Sequence, residues 1–196
     1  MAEWDPDILL LQEADGDRVG ALMPASFQSR LWWPSAGTAP GIVITSHLGF
    51  EESGVLEASD RPRDRPRVSW ARFRLGSASL IAASVHLLAP LMPGARARRD
   101  AQRGELAGWC EALSAGGASL IVGGDFNTRD PRLPRMTDAC AGDPLPTWRP
   151  LAAPWMGPIL RLDAIFVTPG MRVLEAGIGD RWRGSDHLPV LARIDV

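Results

Sequence analysis

The feature that most constrains this chain is a series of short apolar runs, each of strand length and each bounded by glycine, proline or charge. DILLLQ (Asp7–Gln12), GIVIT (Gly41–Thr45), SLIAASV (Ser79–Val85), SLIV (Ser119–Val122), LDAIFV (Leu162–Val167) and PVLARI (Pro189–Ile194) are the clearest. Continuous runs of this length, several rich in β-branched residues, suit strands covered on both faces, and DILLLQ reads as a central one. VSWARFRL (Val68–Leu75) sets Val68, Trp70 and Phe73 against arginines and predicts a half-exposed strand. One segment breaks the pattern. Over Ala95–Ala115, Leu106, Trp109, Cys110 and Leu113 recur at helical spacing, which predicts an amphipathic helix packed on a sheet, with Arg96, Arg99 and Arg103 on its solvated side. Many strands with few helices make an α/β layered domain.

Two stretches read as long loops: Glu51–Arg67, full of charges and prolines, and Arg129–Pro158, which holds seven prolines and two tryptophans. Loops of this length in a compact domain are functional or mobile. The 196 residues suit one domain over 1–196. A net charge of −2 argues against binding polyanions through bulk positive charge, so any phosphate must be held locally. All 21 basic residues are arginine and tyrosine is absent, which excludes lysine and tyrosine nucleophiles. Cys110 and Cys140 match no metal spacing and read as free packing thiols. No run reaches the roughly 18 apolar residues of a membrane span, and Met1–Pro6 lacks signal-peptide character, so the expected location is cytoplasmic.

The chemistry lies at the strand ends. Glu13 follows DILLLQ, His86 follows SLIAASV, Asp125 and Asn127 follow SLIVGG, Asp163 opens its strand, and Asp186 and His187 precede PVLARI. One polar strand end is ordinary; five loaded with carboxylates, amide and imidazoles call for a common cause. Phosphodiester hydrolysis supplies one, because it needs a hard cation, a positioned water and donors around a five-coordinate phosphorus. Glu13 and Asp186 fit a cation that takes a few carboxylate oxygens and keeps several waters. Asp163 and His187 suit a carboxylate–imidazole dyad. Asp125 and Asn127, two apart, point to one side of an extended segment, so that one orients water while the other donates to phosphate.

Taken in order, PDILLLQE (Pro6–Glu13), SVHL (Ser84–Leu87), GDFN (Gly124–Asn127), RLDAIFV (Arg161–Val167) and SDHLPV (Ser185–Val190) resemble the motif set of the endonuclease/exonuclease/phosphatase superfamily, which includes deoxyribonuclease I. The resemblance implies a four-layer α/β sandwich, two mixed β-sheets flanked by helices, with the active site at one end of the sheets. It implies that Glu13 binds metal and that Asp125 orients or activates water beside a phosphate-binding Asn127. Asp163 and His187 become the dyad, with His187 either general base or phosphate contact. Asp186 becomes a second acid for metal, and His86 a histidine near the phosphate or leaving group. The implied cofactor is Mg²⁺, with Mn²⁺ as substitute; the implied substrate is a phosphoester, with nucleic acid among the candidates.

Other readings stand beside these. Glu13 as a strand cap, His86 as a core histidine, and Trp148 and Trp155 as plugs for the long loop are the structural ones; His47 matches no family position and reads as structural. Family members begin with an earlier strand bearing an asparagine, whereas the only asparagine here is Asn127 and only twelve residues precede Glu13. The expectation is therefore a domain lacking its N-terminal strand, with an exposed sheet edge beside DILLLQ that reduces stability or pairs with another chain. Phosphomonoester or lipid and inositol-phosphate hydrolysis are the alternatives on the same fold. A catalytically impaired remnant that binds phosphates or a partner protein is the alternative from another class.

Overall fold

Each of the apolar runs forms a strand. The computed structural model describes residues 5–14, 19, 23, 25–27, 29–33, 41–56, 67–90, 93–142, 145–153, 155–180 and 184–196. The strands are β1 (Ile8–Ala14), β2 (Ser29–Trp33), β3 (Gly41–Ser46), β4 (Phe50–Leu56), β5 (Val68–Leu75), β6 (Ala78–His86), β7 (Ser119–Asp125), β8 (Thr137–Asp138), β9 (Asp163–Val167), β10 (Arg172–Ile178) and β11 (Val190–Asp195). Among the described residues one helix of length is present, α1 (Ala95–Ala115), between β6 and β7.

Six strands make a mixed sheet in the order β4-β5-β6-β7-β9-β8, three make an antiparallel sheet in the order β1-β3-β2, and β10 pairs with β11. The one parallel pairing among the described residues, β6 with β7, requires a crossover, and α1 is that crossover. Side chains alternate about the six-stranded sheet with period two. Val68, Ile81, Ala83, Val85, Leu120 and Val122 cluster with Leu106 and Cys110 of α1. Ala71, Phe73, Leu80 and Ala82 face the other way, onto Ile44 of β3, with Ile8, Leu10 and Leu31 packed around them. The molecule is thus a two-sheet sandwich with α1 on the outer face of the larger sheet.

The differences from the sequence expectation have physical causes. β1 is an edge strand, paired only with β3 among the described residues and half-buried along its length, because only its Ile8 and Leu10 side turns onto the facing sheet. The strand from Val68 is covered on both faces as far as Phe73, fully on the side of Ala71 and Phe73 and partly on that of Trp70 and Arg72, since Trp70 packs toward Trp109 of α1 while Phe73 meets Phe50 on the opposite side. The acidic start of the first long loop is the edge strand β4, where Glu52 and Glu51 pair with Arg72 and Arg74 of β5; cross-strand charge pairs permit a polar edge. Residues 57–66 of that loop lie outside the described residues. The second long loop contributes β8, fastened by Arg161, whose Nη2 reaches both oxygens of Asp138 at 2.8 and 2.9 Å. Arg99 is buried, because the inward stripe of α1 runs Ala95, Arg99, Gln102, Leu106, Cys110. Cys110 and Cys140 are buried thiols outside any disulfide, as expected, and burial pushes the Cys110 thiol up to about 12, which leaves it chemically quiet.

Near the end of β7 the chain tolerates only glycine. Gly124 has φ +137°, and a Cβ there would lie 2.1 Å from the Val85 carbonyl oxygen of β6 and 2.8 Å from Gln12 Nε2. The Gly124→Ala variant should therefore combine backbone strain with a clash and lose about 3 kcal/mol or more of stability, read as a lower urea midpoint with unchanged slope. An unperturbed midpoint would show that β6 and β7 are not this close.

Candidate active site

Strand register builds the site. His86 pairs with Asp125 across β6 and β7, and Asp125 pairs with Asp163 across β7 and β9. Three adjacent strands therefore deliver an imidazole and two carboxylates in one row at one end of the sheet. By the period-two rule they share the face of Leu80, Ala82 and Ile121, which is the face turned to the smaller sheet.

Glu13 comes from across the sandwich. The β1–β3 register slips between Leu11 and Ala14, so Gln12 and Glu13 form a bulge, and Glu13 has φ +51°. A non-glycine residue in that conformation costs about 1–3 kcal/mol and persists only when its surroundings enforce it. Here Gln12 Nε2 donates to Ser84 Oγ at 2.8 Å, tying the bulge to β6. The outcome is a carboxylate whose Oε1 lies 3.7 Å from His86 Nε2, which is itself 3.8 Å from Asp125 Oδ2. The Glu13 side chain is 75% exposed, whereas those of Asp125 and Asp163 are each 10% exposed.

Asn127 departs from the extended geometry expected of it. Its φ is +49°, its backbone N–H donates to Asp125 Oδ1 at 2.7 Å, and its side-chain amide donates to Asp125 Oδ2 and to the Leu87 carbonyl, both at 2.9 Å. A glycine turn followed by an Asx-type bond folds the amide back, so Asn127 clamps Asp125. His187 Nδ1 lies 2.7 Å from Asp163 Oδ2, the dyad that the sequence suggests. Asp186 accepts the Trp148 indole N–H at 2.9 Å through Oδ2.

Electrostatics divide the row. Burial, with the negative charges of Asp163 and Glu13, pushes the Asp125 carboxyl up to about 7, against the pull of His187 and the Asn127 N–H. Burial lowers His187, but the hydrogen bond and charge of Asp163, helped by Asp125 and Asp186, carry it up to about 9. His86 is lowered by burial foremost, with Arg67 and His187 adding to that and Glu13 and Asp163 opposing it.

Asp125, Asp163 and His187 present ligand atoms within 4.8 Å of one another. That trio is a poor cage for a hard cation, since Asp163 holds His187 toward its protonated form, which offers no lone pair to a metal. Glu13 is the better donor: a carboxylate with open solvent around it, beside an excess of negative charge. A hard divalent cation, which keeps waters and takes few carboxylates, fits that position. Asp186, the other acid expected on metal, lies like Glu13 outside the converging trio, and differs in having one oxygen engaged by Trp148.

Thr147 and Gln12 were not visible as site residues in the sequence. Thr147 Oγ1 donates to Asp163 Oδ2 at 2.6 Å. A lone threonine in a proline-rich loop carries no spacing signal, and its flanking PTW is too short to interpret. His47 pairs with Asp7 at 3.1 Å and packs edge-on to Phe27, consistent with a structural role. Trp148 does fasten the long loop, whereas Trp155 is 82% exposed and plugs nothing.

Residues 1–187 match the sequence model of the Endonuclease/Exonuclease/phosphatase family. No curated relative matches the chain by sequence. Among solved structures it is similar to the 3′ phosphatase NExo from Neisseria bound to product DNA hairpin (TM-score 0.77, 21% identity, 100% of this chain and 91% of that one). It is also similar to a mannosyl-6-phosphatase from Bacteroides thetaiotaomicron (0.74, 18%, 98% and 86%). A third is an endonuclease/exonuclease/phosphatase from Beutenbergia cavernae (0.73, 19%, 96% and 62%), of whose length the chain spans less than two thirds. At these identities the likeness establishes the fold.

The raised groups make stability depend on pH. His187, with a folded value of about 9 above its ordinary 6.5, stabilises fully below pH 6.5, and that contribution is lost as pH rises through 9. Asp125 at about 7 against an ordinary 3.8 acts in the same direction between those values. Metal-free protein should thus show a falling urea midpoint from pH 4 to 9, and Asp163→Asn should remove the upper part of that fall by returning His187 toward or below its ordinary value. A His187 NMR titration midpoint that Asp163→Asn leaves at 9 would contradict this.

Proposed function

The chain belongs to the Endonuclease/Exonuclease/phosphatase family, and from that membership we propose that it is a divalent-metal-dependent phosphodiesterase that drives water in line onto phosphorus. Members of the family are hydrolases acting on phosphoester bonds. The observation that carries the reading is the single row of His86, Asp125 and Asp163 in register, closed by Glu13 from the opposite sheet and His187 from the final loop.

The shifted groups suggest a division of labour. A carboxyl near 7 is matched to proton abstraction at neutral pH, so Asp125, held by Asn127, takes the proton of the attacking water. His187, protonated at neutral pH, donates to a phosphoryl oxygen and is not the base. His86, kept neutral by burial, stands where it can donate to a phosphoryl or leaving-group oxygen through Nε2. Glu13 would hold Mg²⁺, or Mn²⁺ in its place, with Asp186 retaining only Oδ1 for the same task. When bound, the cation supplies positive charge against the phosphoryl oxygens.

Support for a substrate with an apolar or aromatic portion, such as a nucleotide diester, comes from the loop that leaves and rejoins the site at Trp148 and Leu160. It exposes Leu151, Trp155, Met156 and Ile159. Exposed aromatics beside a phosphate site favour stacking on bases over bulk electrostatic capture.

With Mg²⁺ or Mn²⁺ the protein should hydrolyse bis(p-nitrophenyl) phosphate, and chelation with EDTA should abolish turnover. Glu13→Ala and Asp125→Ala should each lower kcat/KM by roughly 100-fold or more without unfolding the chain. Hydrolysis undiminished in either variant would remove the proposal. Parallel turnover of plasmid DNA, single-stranded RNA and phosphoinositides identifies the substrate class.

A further inference from the structure

Asp163 and His187 lie on separate segments, and one short stretch of the proline-rich loop grips both. Thr147 is fully buried. Its hydroxyl accepts the backbone N–H groups of Leu162 at 3.1 Å and Asp163 at 3.2 Å, and donates to Asp163 Oδ2 at 2.6 Å. A hydroxyl has two lone pairs and one proton, so with both acceptor sites taken its proton has one direction left. That direction is the oxygen that also meets His187 Nδ1. Two donors converging on Oδ2 fix the plane of the carboxylate, which cannot rotate without breaking both bonds.

The same stretch is stitched to the His187 segment. The Leu188 N–H donates to the Thr147 carbonyl at 2.7 Å, and the Arg149 N–H to the Asp186 carbonyl at 3.0 Å. Trp148 bridges Leu160 on one side and His187 on the other, and its indole N–H donates to the Asp186 carboxylate at 2.9 Å. Thr147–Arg149 is therefore a strap between two segments, with one edge on the stretch leading into Asp163 and the other on the turn bearing His187.

We propose that Thr147 is a positioning residue for phosphodiester hydrolysis, setting the Asp163 carboxylate against His187, while Trp148 holds the His187 turn in place through Asp186. The role rests on the phosphodiesterase reading above. A dyad loosened by part of an ångström loses turnover while substrate binding, made elsewhere, persists.

The test uses the full chain with Thr147→Val, Thr147→Ser and Trp148→Phe. Melting is measured first, then kcat and KM on bis(p-nitrophenyl) phosphate with Mg²⁺, then the His187 Nδ1 proton resonance by NMR on metal-free protein. Thr147→Val should lower kcat on the order of 100-fold with KM within about twofold, and lose the downfield Nδ1 proton signal. Thr147→Ser, which keeps the hydroxyl, should recover both. Trp148→Phe should lower kcat while keeping that signal, and it carries the test with Thr147→Ser if the valine variant does not fold. Wild-type kcat and Nδ1 signal in Thr147→Val, or a serine variant as impaired as valine, would overturn the role. So would losses in kcat that merely follow the melting temperature. The NMR arm needs no turnover, so an inactive wild-type protein would end the phosphodiesterase reading and still leave the strap to be decided.

Discussion

The register of β7 against its two neighbours is the constraint on which everything else depends. His86, Asp125 and Asp163 are far apart in sequence, yet hydrogen-bonded pairing places them abreast, because each ends or begins a strand at the same level of the sheet. A slip of one residue would turn Asp125 onto the face of α1, where Val122 and Leu120 pack, and bury a carboxylate among apolar side chains. The hydrophobic alternation that stabilises the fold thus also fixes the row. Gly124 makes the pairing possible at its final step, where any side chain would meet the Val85 carbonyl.

Such a row concentrates like charge. Asp125, Asp163 and Glu13 oppose one another, and burial deepens the penalty, so the site carries opposing devices. His187 neutralises Asp163, Asn127 wraps Asp125, and Glu13 is left in solvent on its bulge. Together they put an acceptor near neutrality next to a cationic donor, the pairing on which the proposed acid–base roles rest.

Much of this was legible from residues alone. The buried strands were, because a run such as SLIAASV has one physical solution in a layered domain. The Ala95–Ala115 helix was, because it repeats its apolar stripe over several turns. The strand-end positions of Glu13, His86, Asp125 and Asp163 followed directly, with His187 in the loop that leads into β11. Less legible were elements stabilised by partners distant in sequence. β4 reads as a charged loop until Arg72 and Arg74 are set opposite Glu52 and Glu51. β2 and β10 carry no distinctive run, and β8 is two residues fastened by Arg161. Arg99 misleads because charge predicts exposure, whereas its place in the helical stripe turns it inward. Asn127 misleads because two-residue spacing implies one face only in an extended chain, and the chain turns at that point.

The least readable part of the site is its rigidity. Sequence motifs name groups that react, and they say nothing of what keeps those groups still. The side chains that fasten the neighbouring segments here are a glutamine in a bulge, a threonine between prolines and a tryptophan whose indole reaches an aspartate. Each acts through hydrogen bonds to partners 16 to 72 residues away in sequence, and the loss of such a bond leaves a desolvated polar group without its partner. The strap carrying Thr147 and Trp148 also launches the exposed loop of Leu151, Trp155 and Ile159, so the same few bonds that meet the dyad also anchor that loop.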